Sequence, residues 1–154
     1  MKNVSVEPII KEIVEQLKVT ADEKQLVLEY IEPKEKLPEI QADPERLKQV
    51  LINLLGNAIK YTEKGSIKVS AKIISKSLEI KVSDTGMGMS AEEQKRLFEK
   101  FYRVKNEKTG QIIGTGLGLW ITRQIIELMK GKIAIESMKD VGTQAVVTLS
   151  IAKA

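Results

Sequence analysis

Cysteine is absent from the 154 residues, which excludes a disulfide framework and thiolate metal centres. Histidine is absent as well, so no Ser-His triad, histidine metal site or phosphohistidine can be built from this chain alone. Aromatic residues make up 4%, too few for a platform that stacks nucleic-acid bases. No apolar run approaches the ~20 residues of a membrane-spanning helix. The opening MKNVSVEPII lacks the shape of a signal peptide. These absences lead us to expect a cytoplasmic location.

What is present suits a folded globular chain. Hydrophobic residues at 42% beside 30% charged residues are ordinary for one domain, here expected to span 1–154. The net charge of +4 comes from scattered Lys and Arg, which reads as a solvated surface and not as a nucleic-acid patch.

Apolar spacing marks the elements. Val6, Ile9, Ile10, Ile13, Val14 and Leu17 recur at helical intervals, with Ser5 placed to cap and Pro8 in the first turn. Extended segments follow at about 27–31 and 39–41. Asp43-Pro44 opens a second helix with the stripe Leu47, Val50, Leu51, Leu54, Leu55 and Ala58, ending near Thr62. Alternation at Ile67, Val69, Ala71 and Ile73, then at Leu78, Ile80 and Val82 around Ser75-Lys76-Ser77, predicts an antiparallel hairpin. A short helix at about 91–99 and a polar loop at about 104–113 come next. A third long helix is expected over about 116–130, with Gly131 as its C-cap, followed by strands at about 132–137 and 143–151. The pattern predicts a two-layer α/β (α+β) sandwich. Its mixed, largely antiparallel sheet is covered on one face by three main helices.

Several positions carry chemistry. At about 100° per residue, Asn53, Asn57 and Lys60 share a face of the second helix, with Tyr61 between that face and the apolar stripe. Amide oxygens suit Mg²⁺ and an ammonium suits phosphate, although a solvated helix face has the same composition. Asp84 continues the inward parity of Leu78, Ile80 and Val82, and Gly86 and Gly88 leave space beside it. A buried carboxylate needs a donor, and an adenine amino group is one; a turn-initiating Asp is the alternative. Thr143 shares the inward parity of Ala145, Val147, Leu149 and Ile151, where its hydroxyl could hold a water beside the base or simply begin a strand. Gly114-Thr115-Gly116-Leu117-Gly118-Leu119 opens the third helix, whose free N–H groups favour an anion. That run is neither a dinucleotide fingerprint nor a P-loop. The preceding segment, with Lys105, Lys108 and Gly110, is placed to act as a lid.

Taken in order, these motifs resemble the histidine-kinase branch of the GHKL ATPases over nearly the whole chain. NLLGNAIKYT (53–62) is similar to that family's N box, and DTGMG (84–88) to its first glycine box. FEKFYR (98–103) is similar to the F box, and GTGLGL (114–119) to the second glycine box. The resemblance implies that Asn57 ligands Mg²⁺ with Asn53 in support, and that Lys60 and Arg103 contact the phosphates of ATP. It further implies that Tyr61 and Tyr102 flank the nucleotide, that Asp84 accepts from the adenine amino group, and that Gly88 lets the base approach. Gly114 to Leu119 would hold the phosphates, and Phe98 and Phe101 would anchor the lid. Gyrase-like and chaperone-like relatives carry Glu at position 53. A neutral amide is a poor base, so Asn53 favours phosphoryl transfer over hydrolysis.

Asp140 precedes Val141-Gly142 where the family usually has two glycines. The phosphoacceptor helices of the family are missing. The resemblance therefore implies an excised catalytic domain, monomeric by itself, unable to phosphorylate itself and acting on a histidine-bearing dimerisation domain. A response regulator would lie downstream, and the parent could be membrane-anchored. A hydrolysing ATPase and a non-catalytic nucleotide-sensing module are the alternatives.

Overall fold

The computed structural model describes residues 1–99 and 118–152. In chain order the elements are β1 (Lys2–Val4), α1 (Val6–Glu23), β2 (Val27–Tyr30), β3 (Ile40–Ala42), α2 (Pro44–Lys60), β4 (Ser66–Ile74) and β5 (Ser77–Asp84). Then come α3 (Ala91–Lys95), α4 (Gly118–Leu128), β6 (Lys132–Met138) and β7 (Gly142–Ser150). The main sheet runs β2-β4-β5-β7-β6. Its β4–β5, β5–β7 and β6–β7 pairs are antiparallel, whereas β2 lies parallel to β4. A parallel pair needs a long crossover, and here α2 is part of it. The sheet is thus mixed and largely antiparallel, as the sequence pattern predicts.

One core joins the layers. Ile67, Val69, Leu78, Ile80, Val147 and Leu149 present the inner face of the sheet, and Ile10, Ile13, Leu47, Leu51, Leu55 and Ile126 come down from the helices. Helix α2 packs between α1 and α4 and lies over β5, which places its polar face at the β5 end. Leu55 is fully buried at the centre of this packing. Leu55→Ala is expected to cost about 2–5 kcal/mol of unfolding free energy, read from urea denaturation.

Local chemistry fixes the helix ends. The Asp43 side chain accepts from the amides of Glu45 at 3.0 Å and Arg46 at 3.4 Å, with Pro44 in the first turn. At the other end of α2 the Lys24 ammonium donates to the carbonyls of Ile59 at 2.7 Å and Lys60 at 3.2 Å, matching a cation to the negative helix end. Ser5 occupies the N-cap of α1, but its side chain makes no capping bond.

Four details differ from the sequence expectation. Strand β1, which pairs with β3, carries too few residues for a periodic signal. Helix α2 ends at Lys60, with Tyr61 as its C-cap. Helix α3 ends at Lys95 and gives way to turns before Glu99. Helix α4 ends at Leu128 in a motif whose left-handed residue is Lys130, at φ 60°, and not Gly131. The amide of Gly131 reaches back to Ile126 O at 2.9 Å and that of Lys130 to Glu127 O at 2.9 Å, a Schellman arrangement shifted by one residue. Gly131 is small for another reason. A Cβ there would lie 2.6 Å from Leu149 Cδ2 and 2.7 Å from Thr148 O.

Candidate functional site

Between α2, the ends of β5 and β7, and the start of α4 lies a cavity of about 380 Å³. Asn53, Asn57, Lys60 and Tyr61 line it from α2 and its C-cap, Asp84 and Thr143 from the strand ends, Gly88 from the loop after β5, and Gly118 and Leu119 from α4. Nine of the residues singled out from sequence therefore meet around one space. Gly86 does not line it but is buried within the loop after β5. Tyr102, Arg103, Gly114, Thr115, Gly116 and Leu117 lie outside the described residues, as do Phe101 and the lid segment at 104–113.

Asp84 ends β5 in register between Ile67 and Thr143. It is half-buried, and its Oδ1 accepts from the Gly86 amide at 2.9 Å. Burial pushes the Asp84 carboxyl above its ordinary value, and the backbone amides of Gly86 and Thr143 pull partly against that. The result is a carboxylate in apolar surroundings, since Val82, Met87, Met89, Leu97, Ile135 and Ala145 line the same cavity. This end is a slot with apolar walls and one strong acceptor, which suits a flat base carrying an amino group.

The opposite end is polar. A Cβ built on Gly118 would lie 3.6 Å from Asn57 Nδ2 and 3.8 Å from Asn57 Oδ1, so the first described turn of α4 faces the Asn57 amide. Among the described residues no hydrogen bond holds the Asn57 side chain or the Lys60 ammonium, and both are half-buried at the cavity. Asn53 is tied instead. Its Nδ2 donates to Thr122 Oγ1 at 3.2 Å, and that hydroxyl donates to Gly118 O at 2.6 Å. Among the described residues the Asn53 amide oxygen accepts no hydrogen bond.

Two glycines beside the cavity combine a positive φ with a close backbone neighbour. Gly88 has φ 64°, and a Cβ there would sit 2.0 Å from the Met138 carbonyl oxygen. Gly142 has φ 150°, and a Cβ there would sit 2.1 Å from the Asp84 carbonyl oxygen. Gly142 thereby lets β7 close on the residue that carries the carboxylate.

Sequence reasoning missed the groups that hold the site from behind. Thr122 is fully buried in α4 and couples Asn53 to Gly118. Its signal was a hydroxyl within the apolar stripe of that helix. Ser137 Oγ accepts from the Met89 amide at 2.8 Å and lies 2.8 Å from Thr143 Oγ1, so the Thr143 hydroxyl is partnered. Gln94 Nε2 donates to Ser137 O at 3.0 Å and Met89 O at 3.2 Å, pinning the loop to β6. Neither Ser137 nor Gln94 has a pattern visible in sequence. Phe98 packs against Met89 and Leu97 in a second small core, and the Arg123 guanidinium sits 5.2 Å from its ring centroid.

The family described as histidine kinase-, DNA gyrase B-, and HSP90-like ATPase matches residues 42–153. An uncharacterized sensor-like histidine kinase of Rhizobium meliloti is 41% identical over 112 residues, covering 72% of this chain and 21% of its own length. The sensor histidine kinase RcsC of Escherichia coli K12 is 40% identical over 112 residues, covering 73% of this chain and 12% of RcsC. The chain thus spans about a fifth or less of the length of these relatives. Among solved structures, full-length ShkA in complex with AMPPNP superposes with a TM-score of 0.84 at 29% identity, over 99% of this chain and 32% of ShkA. The catalytic domain of the histidine kinase ThkA, in a nucleotide-free form, superposes with a TM-score of 0.82 at 28% identity, over 97% of this chain and 95% of that domain.

Proposed function

Because the chain belongs to the histidine kinase-, DNA gyrase B- and HSP90-like ATPases, as a catalytic ATP-binding domain of the histidine-kinase type, we propose that it binds ATP with Mg²⁺ in the cavity beside α2. From there it supplies the γ-phosphoryl to a histidine on a separate dimerisation domain, in two-component signalling with a response regulator downstream. The observation that carries this reading is the polarity of one cavity. A carboxylate stands among apolar walls at one end, and at the other the Asn57 amide, held by no hydrogen bond among the described residues, faces the first described turn of α4.

Each described residue has a part in this reading. Asp84 accepts from the adenine amino group. Tyr61 flanks the nucleotide, and Thr143, partnered by Ser137, orders water beside the base. Lys60 and the first turn of α4 hold phosphate oxygens. Asn53, fixed by Thr122, keeps the helix start and α2 in register. The resemblance implies nucleotide-contacting roles for Tyr102, Arg103 and Gly114 to Leu117 as well.

The site fits Mg²⁺ in one specific sense. Among the described residues no group of three or more acidic, His or Cys side chains could cage a metal. Mg²⁺ keeps several waters and takes few protein ligands when phosphates supply the rest, so the Asn57 amide, held by no hydrogen bond among the described residues, suits as an anchor. When bound, the ion would neutralise charge on the phosphates. The chain's own contribution to transfer is positioning, because phosphoryl transfer asks little covalent chemistry of the protein. As a neutral amide Asn53 cannot take up a proton near neutral pH, which favours transfer to an acceptor over hydrolysis.

The test is to mix the chain and γ-labelled ATP with a histidine-bearing dimerisation domain. Acid-labile label on that partner is expected, with none on this chain, which has no histidine. Steady ATP turnover without label on the partner would favour the hydrolase, and binding without either would favour a nucleotide-sensing module.

A further inference from the structure

Thr62 is fully buried, and its hydroxyl has no hydrogen-bond partner. Among the described residues Tyr30 Oη is the other such atom, and it belongs to β2, away from the cavity. A buried unpaired hydroxyl is costly, and in native proteins such a group calls for a reason. Thr62 stands directly behind the loop that follows Asp84. A Cβ built on Gly86 would lie 2.5 Å from Tyr61 O, 2.7 Å from Thr62 Oγ1 and 2.9 Å from Asp84 Oδ1. Hydroxyl and carboxylate therefore flank the same α-carbon, in a gap that exists because residue 86 has no side chain.

The other groups around that gap are already engaged. The amides of Thr85, Gly86 and Met87 donate to Ser66 O at 3.1 Å, Asp84 Oδ1 at 2.9 Å and Tyr61 O at 3.2 Å. The Thr62 hydroxyl thus serves none of them as an acceptor, and what remains for it is to donate. Tyr61 O belongs to the peptide immediately before Thr62 and already holds Met87. Asp84 Oδ1 has a second lone pair, and an ionised acceptor makes the stronger bond.

We propose that Thr62 is a positioning residue for Asp84: its hydroxyl, unbonded in this structure, faces across the Gly86 gap the carboxylate oxygen that also holds the Gly86 amide, and donates to it when a side-chain rotation closes that gap. Once made, the bond turns the other oxygen toward the cavity and keeps the carboxylate an acceptor. This deepens the nucleotide reading of the site and rests on it for its functional consequence. The groups that face Asp84 are backbone amides of its own loop and of β7, and no charged side chain among the described residues contributes to its titration.

The test follows the Asp84 side-chain carboxyl carbon by NMR titration in the nucleotide-free protein, in wild type, Thr62→Val, Thr62→Ala and Thr62→Ser. Valine keeps the shape of threonine, alanine is the second hydroxyl-free variant should valine fail to fold, and serine restores the hydroxyl. Loss of the donor is expected to raise the Asp84 midpoint by about half a unit or more, with serine returning it toward wild type. ADP affinity is expected to fall about tenfold in the hydroxyl-free variants and to recover with serine. An Asp84 midpoint unchanged by removal of the hydroxyl overturns the proposal, because a merely structural Thr62 would leave it in place. Failure of the wild type itself to bind ADP would instead count against the nucleotide reading, while the titration still judges Thr62.

Discussion

Asp84→Asn is expected to lower ADP affinity by about a hundredfold while leaving the fold intact. A hydrogen bond to a charged group is worth about 1.5–3 kcal/mol, and a site built around one polar contact loses more when its partner is mismatched. An amide that turns its NH₂ group toward the adenine amino group presents donor to donor. The fold survives for a reason that can be worked out in sign. Burial raises the carboxyl of Asp84 above its ordinary 3.8. A group whose folded value is raised contributes stability that is complete below the unfolded value and is lost as pH rises through the folded value. At neutral pH the ionised Asp84 is therefore a cost to the fold, and the neutral amide removes it. Calorimetric titration with ADP, set beside thermal unfolding at pH 7, separates the two effects. Undiminished affinity in the variant would remove the adenine role. GDP gives a further contrast, because its ring carbonyl would face the carboxylate and should bind far more weakly than ADP.

The second large effect concerns Asn57. Asn57→Ala is expected to abolish the gain in ATP affinity that Mg²⁺ gives the wild type, on the order of tenfold or more. Thermal stability should change little, because no hydrogen bond among the described residues depends on that side chain and alanine is the better helix former. Titrations with ATP in chelator and in excess Mg²⁺ make the comparison. A variant that still gains affinity from Mg²⁺ to the wild-type extent would place the metal elsewhere. Asn53→Ala should behave differently, since its Nδ2 holds Thr122 and through it the start of α4.

Much of this site was legible in the sequence, and the reason is geometric. Asp84 follows three inward residues at a spacing of two, so the pleat alone aims its side chain at the core. Asn53, Asn57 and Lys60 lie on one helix face for the same kind of reason. What stayed hidden is held by partners distant in sequence. Thr122 acts on Asn53 across the α2–α4 contact, and Ser137 acts on Met89 and Thr143 from the far edge of the sheet. No local period encodes those meetings. The apolar walls at Met89, Leu97 and Ile135 were hidden too, because they gather from a loop, a turn and a strand. The one-residue shift at Lys130 and Gly131 has a similar origin. Both residues could end a helix, and the close approach of Leu149 and Thr148 decided which of them had to be glycine.

In the proposed reading the cavity has an adenine end and a phosphate end. Amide NMR of the uniformly labelled chain tests that division directly, by comparing the spectra with adenosine and with Mg-ADP. Adenosine is expected to move the amides around Asp84 to Met89 and Gly142 to Ala145 while leaving Asn57 and Gly118 in place. Mg-ADP should move both sets. Shifts confined to the outer face of the sheet, or adenosine and Mg-ADP perturbing the same residues without distinction, would contradict it.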